Sequence, residues 1–305
     1  MKLITRINNI SNINYNVFEP SAKKSDRVIY YKKTKPFSLL IKLNYQRKEL
    51  ALEFTGKILQ DKYPQLLNRE TILYALENIN KLNVCTLDTE AILSDAEVVK
   101  CDVTTDVVVH DDIELIVSDV KQNLANYSQW STKDHANGII IANTVSTPRY
   151  KKRLVIYDKE KEMQKAKNRK FLGQLSDGQA VTDYFRGKVR FELNINAKQQ
   201  IRDLLNIADN NIQSVLNATA NPLLTVIEEA IRYDPLRPKA KTLRDYEREL
   251  LLRSCDFDLA KVEATIRGLS SKNTSIKRAM QPYRELAKRI KADTTPPIDL
   301  RALVS

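Results

Sequence analysis

Lys188-Val189-Arg190-Phe191-Glu192-Leu193-Asn194-Ile195 alternates apolar and polar residues along its whole length. Successive strand side chains point to opposite faces, so this octet predicts a half-buried β-strand. Phe191 lies on one face, and Arg190 and Glu192 on the other. Residues 197–205 follow with helical spacing. Upstream, residues 138–145 and 153–157 are short apolar runs separated by Ser146-Thr147-Pro148-Arg149, which predicts a hairpin-like pair with a longer turn.

Working outward, residues 50–54 read as a strand closed by Thr55-Gly56, and residues 71–77 as a helix. Residues 88–94 and 98–109 are strand candidates. Ile113, Ile116, Val117, Val120 and Leu124 give residues 112–127 the spacing of an amphipathic helix capped by an aspartate. Residues 1–35 hold no sustained period and read as a loosely organised N-terminal segment. Beyond residue 205 the strand signals stop, and residues 212–232, 243–253, 258–269 and 275–291 read as helices. Pro235 and Pro238 interrupt them within residues 233–239. The expected fold is therefore α+β, with a mixed domain over residues 1–205 and a helical, basic region over residues 206–305.

At 305 residues and 42% hydrophobic content the chain can bury a substantial core. No apolar run approaches the roughly 18 residues of a membrane span, and residues 4–10 are too polar for a signal-peptide core, so a cytoplasmic protein with no membrane partner is expected. Cys85, Cys101 and Cys255 are widely spaced and read as reduced structural thiols. Lys and Arg outnumber Asp and Glu by 50 to 38, for a net charge of +12. Such an excess suits a phosphate backbone, a ribosomal neighbour, an anionic membrane surface, or a solubilising role alone. Residues 235–305 carry 16 Lys and Arg against 9 Asp and Glu, so much of the excess lies in the helical part.

Three strand-like segments carry ionisable residues that an apolar core would not choose. In the first, Asp102 and Asp106 share a strand face, and their hard oxygens suit Mg²⁺ or Mn²⁺. At ~3.3 Å per residue their Cα atoms stand about 13 Å apart, so either a bulge brings them together or only one is a ligand. Loop amides satisfying both is the structural alternative. The second places Lys159 two residues after Tyr157, near a phenol that needs help because its ordinary pKa is ~10. A tyrosine ring in the core with its hydroxyl at the surface is the alternative there. In the third, Arg190 and Glu192 serve either a phosphate and a metal or a cross-strand ion pair.

Lys100-Cys101-Asp102 through Asp106, Ile156-Tyr157-Asp158-Lys159-Glu160-Lys161-Glu162 and Arg190-Phe191-Glu192-Leu193 occur in that order. Together they resemble the Rep-trans family of plasmid rolling-circle replication initiators and the related filamentous-phage replication proteins. Residues 50–59 add a similar upstream strand, and the resemblance spans roughly residues 48–205. Lys100 and Cys101 replace the family's usual arginine and apolar residue. The only histidines are His110 and His135, so the histidine pair of HUH endonucleases is absent. The resemblance implies an HUH-like core, a mainly antiparallel sheet with flanking helices. It implies a metal-dependent, site-specific nickase in which Asp102 and Glu192, with Asp106 or Glu53, hold Mg²⁺ or Mn²⁺. Tyr157 would attack the scissile phosphate, assisted by Lys159, with Arg190 on the DNA. The products are a 5′-phosphotyrosine and a 3′-hydroxyl primer. The implied partners are origin DNA with a single-stranded or hairpin nick site, a host helicase and a polymerase, and a homodimer is compatible with this. A non-catalytic origin-binding protein and a mobilisation relaxase are the competing functions.

Residues 258–269, 270–273 and 275–291 read as helix, turn, helix, with Lys277, Arg278, Arg284 and Lys288 on the second helix available to duplex DNA. A helical pair with a solvated basic face is the alternative. Trp130 either stacks on an unpaired base or fills core space. His110-Asp111-Asp112 reads as a turn before a helix rather than a metal site.

Overall fold

The alternation at residues 188–195 is realised as a strand in the interior of a ten-stranded antiparallel sheet. The computed structural model describes the chain except residues 22–26, 110–112, 126–127, 146, 148–149, 233–241, 270–274 and 293–298. Its strands are β1 (Lys2–Arg6), β2 (Ile10–Ser11), β3 (Glu19–Pro20), β4 (Val28–Lys33), β5 (Leu39–Asn44), β6 (Glu49–Phe54), β7 (Thr86–Leu87), β8 (Glu97–Val108), β9 (Trp130–His135), β10 (Gly138–Asn143), β11 (Arg153–Asp158) and β12 (Lys188–Ile195). The sheet order is β3-β4-β5-β6-β1-β8-β12-β11-β10-β9, with β2 and β7 forming a separate pair. A 3-10 segment, Gly56–Gln65, kinked at Gln60, follows β6. The helices of the first compact unit are α1 (Ile72–Asn80), α2 (Thr89–Asp95), α3 (Ile113–Gln122), α4 (Lys159–Met163), α5 (Ala166–Leu172), α6 (Gly178–Tyr184), α7 (Lys198–Leu205), α8 (Ile212–Leu216) and α9 (Pro222–Ala230). The second unit holds α10 (Leu243–Ser254), α11 (Leu259–Leu269) and α12 (Ile276–Ala292), and α13 (Leu300–Val304) closes the chain. No helix among the described residues is long and apolar enough to cross a membrane.

The α+β expectation holds, and several local expectations are corrected. Within the segment expected to be loosely organised, residues 2–6 and 28–33 are regular strands, because β1 lies inside the sheet between β6 and β8, and β4 pairs with β5. Strands of five or six residues are too short to display a period alone, and the partners of β1 lie far along the chain. Residues 89–95 form a helix rather than a strand. Asp88 caps it, its side chain accepting from the Ala91 amide at 3.0 Å, which satisfies a donor that the first turn leaves open. Residues 212–232 form two helices, since Asn221 caps α9 and Pro222 occupies its first turn. Trp130 is buried, 5% exposed, and begins β9, which opens a three-strand meander with β10 and β11. His110-Asp111-Asp112 and most of the 146–149 turn lie outside the described residues.

The boundary expected at residue 205 also moves. The first compact unit comprises Met1–Arg232 and Asp299–Ser305, and the second Tyr233–Ile298. Helices α8 and α9 belong to the first unit because their apolar faces, Ile212 and then Leu223, Val226 and Ile227, are buried, and α7, α8 and α9 pack on β8. The chain end returns there too, with Asn221 Nδ2 donating to the Val304 carbonyl at 2.7 Å. The second unit has its own core of Leu252, Cys255, Val262, Met280, Leu286 and Ala287.

Register decides what the site contains. Strand β8 pairs with β12 without a break from Cys101↔Ile195 to Val108↔Lys188. Its one register shift, opposite Lys2 and Leu3 of β1, precedes Asp102. No bulge therefore draws Asp102 and Asp106 together. Farther along, Gly138 faces Tyr157 in register, where a Cβ would stand 2.0 Å from the Ile156 carbonyl oxygen and 2.6 Å from the Tyr157 Cα. Backbone cannot yield as a flexible side chain does. Gly138→Ala is expected to pry β10 from β11 and lower the unfolding free energy by about 1–3 kcal/mol or more, measured as a shift of the denaturant midpoint.

Candidate active site

Strand pairing aligns His135, Gly138, Tyr157, Arg190 and Asp106 in one row across β9, β10, β11, β12 and β8. Two residues along, Glu192 faces Val155 and Thr104, and two further, Asn194 faces Arg153 and Asp102. Because side chains alternate, these three rows share one face of the sheet. Gly138 has no side chain, which leaves room for the His135 ring to approach that of Tyr157, edge to face with centroids 6.1 Å apart. Above the rows lies a cavity of about 730 Å³ lined by Asp102, Thr104, Tyr157, Arg190 and Glu192 from the sheet. Lys57 and Tyr63 of the 3-10 segment and Lys159 of α4 complete this part of its wall.

Asp102 and Glu192 converge through an asparagine. Asn194 Nδ2 donates to Asp102 Oδ1 at 2.7 Å and to Glu192 Oε1 at 3.2 Å, while its Oδ1 accepts from Arg153 Nη1. Two hard carboxylates thus meet at one amide nitrogen. That donor set fits Mg²⁺ or Mn²⁺, since Mg²⁺ commonly takes one or two carboxylates and completes its shell with water and substrate phosphate. Among the described residues no group of three His, Cys, Asp or Glu side chains is placed to hold a metal ion. The expected trio is accordingly reduced to a pair. Asp106 is committed elsewhere, and Glu53 stands with Lys2 and Lys100 at 3.8 and 3.7 Å.

Asp106 accepts both forks of Arg190, Nε at 2.6 Å and Nη2 at 2.7 Å, with the two side chains 2% and 5% exposed. Burial works against the Arg190 charge, and the Asp106 carboxylate outweighs it, leaving the guanidinium firmly protonated. Arg190 had been expected on DNA, but its fork is spent inside the protein. Its remaining reach is Nη1, which donates to the Tyr63 hydroxyl at 3.2 Å.

Tyr157 is 8% exposed and donates to Glu192 Oε2 at 3.3 Å. Burial and then the Glu192 charge push its phenol well above the ordinary value. Strand β11 ends immediately after it. Asp158 caps α4 by accepting from the Lys161 amide at 2.8 Å, so Lys159 enters the cavity from a helix rather than from the strand face expected of it. Lys159 is 3% exposed, donates to Tyr63 at 2.8 Å, and has its pKa lowered chiefly by burial.

Lys57 adds another cation, donating to Asn168 Oδ1 and likewise lowered by burial. Beside it, Glu162 is held by Lys165 and by Lys167 at 3.0 Å. These bonds overcome the upward push of burial and bring the carboxyl down to about 2. Sequence reasoning missed Asn194, Tyr63, Lys57 and His135. Asn194 was within reach, since it continues the Arg190 and Glu192 alternation, whereas Tyr63 sits in a segment without strand or helix period.

In the second unit Lys277, Arg278 and Lys288 are exposed on α12. Arg284 stands 3.8 Å from Glu263, and Arg289 pairs with Asp245 at 2.8 Å. The helices α11 and α12 are present, and the turn at residues 270–273 lies outside the described residues. Comparison of the chain with protein-family models and with curated protein sequences returns no match.

Proposed function

We propose that this chain is a strand-nicking replication initiator of HUH-like type, with Tyr157 as the nucleophile. The observation that carries this reading is the convergence on one cavity of the Tyr157 hydroxyl, the Asp102 and Glu192 carboxylates and the Lys159 ammonium from β8, β11, β12 and α4. Tyr157 Oη attacks the phosphorus of a single strand of origin DNA. As the Oη–P bond forms and the P–O3′ bond breaks, Glu192 Oε2 takes the hydroxyl proton, and the 3′-oxygen leaves and takes a proton from water. Asp102 and Glu192 Oε1 would hold Mg²⁺ or Mn²⁺, which when bound offsets the negative charge of the phosphate. Lys159 supplies fixed positive charge beside the phosphate. The 5′-phosphate stays on Tyr157, and the free 3′-hydroxyl is what a DNA polymerase extends. Exposed Lys277, Arg278 and Lys288 supply sequence-independent affinity for the DNA backbone.

One observation favours the competing function of origin binding without cleavage. Tyr157 is buried, and its proton is held more tightly than that of a free tyrosine. The two functions separate when the full chain is incubated with supercoiled origin plasmid and Mg²⁺ or Mn²⁺. Nicked circles carrying covalently attached protein support catalysis, and binding with neither product overturns it. Glu192→Gln is expected to lower nicking about 10²–10⁴-fold, the usual contribution of a positioned base, with origin binding retained in a filter assay. A transfer origin nicked in place of a replication origin would identify a relaxase.

A further inference from the structure

Tyr63 was not among the residues expected to matter, yet its oxygen is the meeting point of both buried cations of the site. Lys159 Nζ donates to it at 2.8 Å and Arg190 Nη1 at 3.2 Å. Among the described residues its own hydroxyl hydrogen finds no acceptor. Around it, the rings of Phe171 and Phe185 lie 5.4 and 5.6 Å away, and the ring itself is 6% exposed, so water is largely excluded. Lys159 Nζ stands 5.1 Å from the Tyr63 ring centroid, 5.2 Å from that of Phe185 and 5.7 Å from that of Tyr157.

Charge balance gives these contacts a meaning. Lys159 and Arg190 place two buried positive charges in the cavity wall, and Asp106 on β8 offsets one of them through its fork with Arg190. An uncompensated buried charge is costly, and with Lys159 protonated the cluster is neutral only when a further anion is present. Glu162 of α4 is engaged by Lys165 and Lys167, and Glu192 of β12 is turned toward Tyr157 and Asn194. Lys57, on the same 3-10 segment as Tyr63, adds positive charge.

We propose that Tyr63 is a positioning residue of this site, whose oxygen carries the balancing negative charge and thereby keeps Lys159 protonated and fixed beside the cavity. The energetics agree. Burial pushes the phenol up, but the Lys159 and Arg190 charges, the Lys159 hydrogen bond and Lys57 together bring it below the ordinary tyrosine value. Reciprocally, Tyr63 is the strongest influence opposing the loss of charge that burial imposes on Lys159. The functional half of this inference rests on the nicking proposal, and the charge half stands independently.

The test is an ultraviolet titration of the full-length protein, following the red-shifted phenolate band of its thirteen tyrosines. One phenol is expected to ionise ahead of the others and to be missing from Tyr63→Phe, which keeps the ring and removes only the oxygen. In Lys159→Met the early ionisation is expected to move up toward the rest, a second measurement should Tyr63→Phe fail to fold. Superimposable titrations of wild type and Tyr63→Phe, or an early phenol unmoved by Lys159→Met, overturn the proposal. On origin plasmid, Tyr63→Phe is expected to lower kcat by up to about 10²-fold with KM for DNA unchanged, as for a displaced catalytic group. An equal loss through KM alone overturns the positioning role. Should wild type show the early phenol and nick nothing, the charge assignment holds and the nicking proposal falls.

Discussion

Tyr157→Phe is expected to abolish the covalent protein–DNA product while leaving the protein folded and bound to origin DNA. Removing a covalent nucleophile costs on the order of 10⁶-fold where it has been dissected, so residual nicking should be below detection on a gel. The fold should tolerate the change. The substitution deletes one oxygen whose hydrogen bond to Glu192 is 3.3 Å long, and the ring keeps its place between His135 and the cavity. A stability change within about 1 kcal/mol follows. The comparison is therefore clean, because a lost adduct with an unchanged melting curve separates chemistry from folding. Full nicking by the phenylalanine variant would remove Tyr157 from the mechanism, and with it the nickase proposal.

The second large effect concerns stability. Asp106→Ala leaves the Arg190 guanidinium buried without its bidentate partner and is expected to lower the unfolding free energy by about 3–5 kcal/mol. That is a large part of the ~5–15 kcal/mol total typical of folded proteins. Chemical denaturation measures it directly. The result also discriminates between roles. If Asp106 bound the catalytic metal, its loss would chiefly raise the concentration of Mg²⁺ or Mn²⁺ needed for nicking, with little change in stability. The pair Asp102 and Glu192 should show the reverse pattern, since both line the cavity and their hydrogen bonds run to Asn194 and Tyr157.

Much of the site was legible because strand alternation is a local property. The octet at residues 188–195 placed Arg190 and Glu192 on one face, and the same rule put Tyr157, Asp102 and Asp106 on strand faces of their own. What the alternation cannot supply is register between strands distant in sequence. Pairing of β8 with β12 sets Asp106 opposite Arg190 and Asp102 opposite Asn194. A shift of two residues would preserve every face and exchange those partners. Thus the expectation that Asp102, Asp106 and Glu192 share an ion had the right face and the wrong partners. Lys159 shows the converse, since its two-residue spacing from Tyr157 suggested a strand face, and a cap at Asp158 delivered it to the cavity from a helix.

By itself the sequence determined an α+β chain with a basic helical part, the strand character of β8, β11 and β12, and the polar faces that carry Asp102, Tyr157, Arg190 and Glu192. Periodicity and charge need no partner to be read. Only the tertiary structure decided that residues 2–6 lie inside the sheet, that α8 and α9 belong to the first unit, and that Tyr63 meets Lys159 and Arg190. Each of these depends on contacts between distant segments. Tyr63 and Lys159 are 96 residues apart, and the hydrogen bond that joins them exists only once the chain has closed around them.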